Sequence, residues 1–125
     1  MRRLVVSIAA AVVVCVGSPA QASHAPTAYC SESGDVCAST KKVDGVRLLR
    51  LSLAAKYFDV YTLCVRAPDG SRVCKKFDVE KTGSSYGDVV KWSARFPDKG
   101  PGAYVARWKA GGTAITPKLG FHVSS

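Results

Sequence analysis

The sequence predicts an all-β fold, a single antiparallel β-sandwich of about seven strands stapled by two disulfides. Three observations carry that reading. From Val46 onward, β-branched, aromatic and leucine residues alternate with polar ones at period two, and clusters of Gly, Pro, Asp and Ser interrupt the alternation where turns would fall. No stretch presents a long helical face. Four cysteines remain once an N-terminal export signal is set aside, an even number that suits pairing in an oxidising compartment.

Each strand follows from its own alternation. A short strand is expected near Tyr29, and residues 41–45 read as a polar turn. Over residues 46–54, Leu49, Leu51 and Leu53 line one face while Arg50 and Ser52 point away. Tyr61, Leu63 and Val65 share a face of the next strand, residues 57–66, and Val73, Phe77 and Val79 continue it on the one after. Val90, Trp92, Ala94 and Phe96 alternate with Lys91, Ser93 and Arg95, which predicts a strand over 90–96. Tyr104, Ala106 and Trp108 alternate in the same way with Val105, Arg107 and Lys109. Leu119, Phe121 and Val123 close the set. Strands spaced like these, each with one apolar face, suit two packed antiparallel sheets that are wet outside.

The chain opens with Arg2 and Arg3, an apolar run over residues 4–16, and Ala20-Gln21-Ala22 after Pro19. This is the tripartite pattern of a cleavable secretory signal. The run is short of the about 20 apolar residues a membrane span needs, and no later segment replaces it, so no integral membrane segment is expected after cleavage. Val14 stands where lipid attachment at Cys15 would want a small residue, which places Cys15 in the discarded apolar run. The expected organisation is a signal at residues 1–22, a mobile leader at 23–28, and one domain at 29–125, secreted to the cell exterior. Removing Arg2 and Arg3 from the 18 basic residues leaves 16 against 9 acidic ones, a net charge of +7. A partner, if the domain has one, should be anionic.

Hairpin register fixes one pair among Cys30, Cys37, Cys64 and Cys74, and the other two cysteines remain to form the second. Pro68-Asp69-Gly70 suits a type I turn closed by a glycine in the left-handed region. A three-residue loop at 68–70 opposes Ala67 to Ser71, and counting outward sets Cys64 across from Cys74 at a non-hydrogen-bonded site. There the Cα atoms sit about 4.5 Å apart, a span a disulfide tolerates. That staple shares the hairpin's outer face with Thr62, Arg66, Arg72, Lys76 and Asp78. Cys30 and Cys37 then close a second small loop over Ser33-Gly34-Asp35. Each loop contributes roughly 2–3 kcal/mol in the chain-entropy model. Zinc is disfavoured, because the spacings of six and nine intervening residues miss the C-x₂₋₄-C knuckle.

The segment PGAYVARWKAGGTAITPKLGFHV resembles the last two strands of bacterial Ig-like domains through Gly102, Tyr104, Trp108, Phe121 and Val123. That resemblance implies an Ig-like sandwich and no particular activity. YCSESGDVC, LCVRAPDGSRVC, VKWSARFP and this tail together resemble small secreted proteins of actinobacteria. The tail also resembles copper-resistance CopC-type domains, which bind copper through an N-terminal histidine and a D-G-H between their last two strands. Here Ala110-Gly111-Gly112 stands in that connection, and His24 is second rather than first after the expected cleavage.

Chemistry-bearing constellations are sparse. His24 and His122 have no serine or free-cysteine motif beside them, and His122 reads as an exposed strand histidine. Asp78 and Glu80, read on one strand, would stand about 7 Å apart, a spacing open to paired-carboxylate chemistry, though Lys75, Lys76 and Lys81 point to a solvated edge. Trp92 and Trp108 could stack a sugar, yet both fall in alternating apolar sets.

Charge is the remaining feature: Arg47, Arg50, Arg66, Arg72, Lys76, Lys91, Arg95, Arg107 and Lys109 fall at outward positions. Solubility and edge protection explain such residues routinely. A binding face would centre on Arg66, Arg72 and Lys76, with Lys41, Lys42 and Lys118 elsewhere. The expectation is a non-enzymatic, secreted Ig-like module, without catalytic residues, metal or cofactor, that binds an anionic cell-envelope polymer or another exported protein. Weak carbohydrate or copper binding, and a small exported enzyme, are the alternatives. Nucleic acid is not expected as a partner, since no recognised nucleic-acid module is present and export removes the chain from it.

Overall fold

The computed structural model describes residues 25–125; the signal segment, its cleavage site, Cys15 and His24 lie outside them. Eleven strands and one helical turn build two antiparallel sheets. β1 (Ala28–Cys30), β2 (Val36–Ser39), β4 (Val46–Leu53), β8 (Ser85–Lys91) and β7 (Glu80–Thr82) form the first in that order, with the two-residue β3 (Lys42–Val43) also on β4. The second runs from β6 (Arg72–Asp78) through β5 (Val60–Arg66) to β9 (Gly102–Ala110). Against the far side of β9 lie β10 (Thr113–Ala114) and β11 (Leu119–Val123), one after the other. β2, β4, β8 and β7 thus occupy the places of strands A, B, E and D of the immunoglobulin arrangement, and β5, β9 and β11 those of C, F and G. β6 extends the second sheet beyond C.

The inward faces are those the alternation names. Leu49, Leu51 and Leu53 meet Tyr61, Leu63, Val65, Tyr104, Ala106, Trp108, Leu119 and Phe121 in one core. Each large apolar side chain buried there contributes about 1.5–3 kcal/mol by removal from water. Tyr104 and Phe121 stack at 5.1 Å, and Trp92 meets both edge-on. At the start of β9 the Tyr104 hydroxyl donates to the Gly100 carbonyl at 2.7 Å and accepts from the Lys99 amide at 2.9 Å. This is the tyrosine corner of Ig-type sandwiches, which anchors the loop crossing between the sheets.

Several expectations change. Of residues 41–45, read as a polar turn, Lys42 and Val43 pair with β4 and only Asp44 and Gly45 turn. Residues 92–95 are one helical turn, α1 (Trp92–Arg95), and not a strand. Trp92 and Phe96 are buried while Ala94 is exposed, so the i, i+4 pair is the helical one. Pro97 then holds Phe96 extended and ends the turn. The strand of this region lies earlier, at β8, where Gly87 and Asp88 weaken the alternation. A Cβ at Gly87 would collide with the Leu51 carbonyl oxygen of β4, so glycine is what permits that pairing. Asp78 ends β6 in one sheet and Glu80 opens β7 in the other, with buried Val79 between them, so the two carboxylates share no strand face.

The leader, finally, is fastened over its described part. Ala28 belongs to β1, the Thr27 carbonyl accepts from the Thr40 amide at 2.9 Å, and the Pro26 carbonyl accepts from Gly120 at 2.8 Å. Fully buried Thr40 donates its hydroxyl to the Gly120 carbonyl at 2.7 Å, joining the same residues from the other side.

Both expected disulfides form. Cys30–Cys37 and Cys64–Cys74 are bonded, with Cα separations of 4.1 and 4.0 Å. Gly70 has φ +89°, and Ala67 donates to the Ser71 carbonyl, closing the three-residue loop at 68–70. Each disulfide staples one hairpin within a sheet, and neither crosses between the sheets.

Candidate functional site

Strand parity decides where the charge goes. Because Tyr61, Leu63 and Val65 face the core, Thr62, Cys64 and Arg66 face out, and antiparallel register lines up their neighbours in rows across the second sheet. One row is Arg72, Arg66 and Val105; the next is Cys74, Cys64 and Arg107; the third is Lys76, Thr62 and Lys109. Rows follow one another at about 7 Å along the strands, and neighbouring strands stand about 4.8 Å apart. Asp78 lies opposite Val60 at the end of the face, one row beyond Lys76. Arg66 and Arg72 are direct cross-strand partners, an arrangement of like charges that costs stability. Among the described residues the ion pair present is Lys56–Asp59, in the loop before β5, so none of the basic residues of these rows is held in an ion pair.

A cavity of about 220 Å³ opens in the middle of these rows, lined by Arg66, Arg72, Arg107, Lys109 and Lys118 around Cys64 and Val105. No acidic side chain lines it. Cys64 is buried although its side of the strand faces outward, because the long basic side chains cover it. Arg107 is half-buried, and its Nε has no hydrogen-bond partner. Burying such a donor unpaired is unfavourable.

The sequence named Arg66, Arg72 and Lys76, and the structure brings all three onto one face. It also adds to them. Lys118 is no remote control: the connection between β10 and β11, turned by buried Thr116 donating to the Pro117 carbonyl at 2.8 Å, delivers it to the cavity rim. Period-two parity marks Arg107 and Lys109 as outward but not as neighbours of Arg66, because the pairing of β5 with β9 joins segments far apart in the chain.

The remaining outward cations go elsewhere. Arg50 and Lys91 lie on the outer face of the first sheet, on the opposite side of the sandwich. Arg47, expected to point outward, instead shares the inward parity of Leu49 and bridges the sheets, donating to the Thr40 and His122 carbonyls at 2.8 and 3.0 Å with its guanidinium over Phe121. Arg95 stands 6.0 Å from the Phe77 ring.

The aromatic and histidine candidates resolve differently. Trp108 and Trp92 are buried in the core, so neither offers a stacking surface. His122 is exposed on the outer side of β11, opposite Ala103. Inside, the Tyr61 hydroxyl donates to Asp88 Oδ2 at 2.9 Å, which accounts for the polar residue on the inner face of β8. Burial first, and then the Asp88 charge and hydrogen bond, raise the Tyr61 phenol well above its ordinary range. Among the described residues no helix is long and apolar enough to cross a membrane. Comparison with protein-family models, curated proteins and solved structures finds no match.

Proposed function

We propose that the protein is an exported, non-enzymatic Ig-like module that holds an anionic polymer of the cell envelope against the outer face of its second sheet. The observation that carries this is the three-row array around the Arg66–Arg72 pair, whose rows and cavity contain no carboxylate. Charge serving solubility alone would have no reason to concentrate on one sheet and to set two arginines directly opposite each other at a cost in stability. Export is supported by the basic-apolar-A-x-A opening of the sequence and by two disulfides, which persist in oxidising compartments.

The test compares two triple charge reversals of equal net charge. Arg66→Glu with Arg72→Glu and Lys76→Glu should weaken sedimentation with anionic envelope material at least tenfold. Lys41→Glu with Lys42→Glu and Lys91→Glu should weaken it far less. Bound wild-type protein should come off as ionic strength rises and the Debye length falls from about 30 Å at 0.01 M to about 8 Å at 0.15 M. Equal losses from the two variants would mean that net charge alone acts, and binding that persists at high salt would point away from this face.

A further inference from the structure

Resting on that reading, we infer that the cavity over Cys64 is a specific site for a phosphate monoester, the dianionic group of a phosphorylated sugar unit, and not merely a stretch of positive surface. Three arginines on three adjacent strands, Arg72 of β6, Arg66 of β5 and Arg107 of β9, surround the space with Lys109 and Lys118. Guanidinium forks bind oxyanions through paired donors, and three of them offer more donors than the two coplanar oxygens of a carboxylate can use. A phosphate monoester supplies three terminal oxygens. Charge argues the same way: every charged residue of the lining is a cation, and a group that carries close to two negative charges gains more there than one carrying a single charge.

Size and floor complete the match. About 220 Å³ is below the roughly 300 Å³ at which drug-sized pockets begin, so the space takes one charged group and a compact ring. Val105 and the Cys64 sulfur give that ring an apolar surface.

A phosphate monoester carries its own signature, because its second ionisation falls near pH 6. The charged lining groups are arginines and lysines, with no carboxylate or histidine among them. Of the neighbouring titratable groups, Asp69 in the β5–β6 turn is held below the usual carboxylate range by Ser71 and stays ionised, and Asp78 lies at the far end of β6. His122 on the outer side of β11 is the histidine nearby, and His122→Gln removes it.

The experiment is equilibrium binding of glucose 6-phosphate and of glucuronate, the same ring bearing a carboxylate, to the oxidised protein. Glucose 6-phosphate should bind at least tenfold more tightly than glucuronate at pH 7. Its affinity should rise several-fold between pH 5 and pH 7, with His122→Gln leaving the rise intact. Arg107→Gln should cost about tenfold, Arg107→Lys an intermediate loss, and Arg50→Gln on the opposite sheet less than twofold. Should Arg107→Gln fold poorly, Lys118→Gln, on a surface connection, tests the same cavity. Equal affinity for the two sugars, a flat pH profile, or losses no greater at residues 107 and 118 than at 50 would overturn the inference. If envelope polymer still sediments the protein through Arg66, Arg72 and Lys76 in that event, only the phosphate specificity fails. Absence of both kinds of binding would remove the broader reading as well.

Discussion

At the scale of single residues, two tyrosines show how a core position can also carry a polar duty. Both alternate correctly with their neighbours, and the sequence therefore places their rings. Their hydroxyls were not legible, because the Tyr104 corner depends on the path of the loop at 98–101 and the Tyr61 bond on an aspartate in the other sheet. The Tyr61 bond has a consequence at high pH. An unfolded tyrosine ionises near pH 10, whereas folding holds this one protonated well beyond that. Stability is therefore complete below pH 10 and falls as pH rises past it, by up to about 1.4 kcal/mol per pH unit, since only the unfolded chain gives up the proton. Urea midpoints measured from pH 9 to pH 11 should show the decline. Tyr61→Phe should lessen it, burial of Tyr104 supplying the remainder in the same direction, while lowering stability at pH 7 by about 1–3 kcal/mol, because half-buried Asp88 loses a donor.

At the scale of elements, the hairpin of β5 and β6 was the most legible part of the chain. A three-residue turn fixes which residues oppose each other, and two cysteines then fall on one rung. The Cys64–Cys74 bond stands in the middle row of the basic face and holds β6, an edge strand, beside β5 next to the repelling arginines. Cys64→Ser with Cys74→Ser should therefore lower stability by about 2–3 kcal/mol, on the order of 10 °C in a domain of this size. The β-type circular dichroism should be unchanged, because the bond lies outside the core. Less legible was the stretch from Ser85 to Phe96. Trp92 and Phe96 stand four apart, a spacing shared by a strand and a helical turn, and only the exposure of Ala94 separates the two. The strand that precedes them hides behind Gly87 and Asp88, whose presence answers to the Leu51 carbonyl and the Tyr61 hydroxyl across the fold. Local pattern cannot report partners that distant.

For the whole molecule, parity along each strand told inward from outward but could not say which outward residues share a side of the sandwich. That depends on sheet assignment, which sets Arg107 beside Cys64, sends Arg50 and Lys91 to the opposite surface, and divides Asp78 from Glu80. The candidate site is accordingly a product of topology, assembled from β5, β6, β9 and the β10–β11 connection. Its Arg66–Arg72 pair also sets fold and function against each other. Threonine at residue 72 would suit an edge strand and end the repulsion, so Arg72→Thr should raise the thermal midpoint of the free domain, by a gain of about 0.2–1 kcal/mol, while weakening its hold on a polyanion. A screen that selected variants for heat resistance alone would thus be expected to discard this arginine early, and the binding face with it.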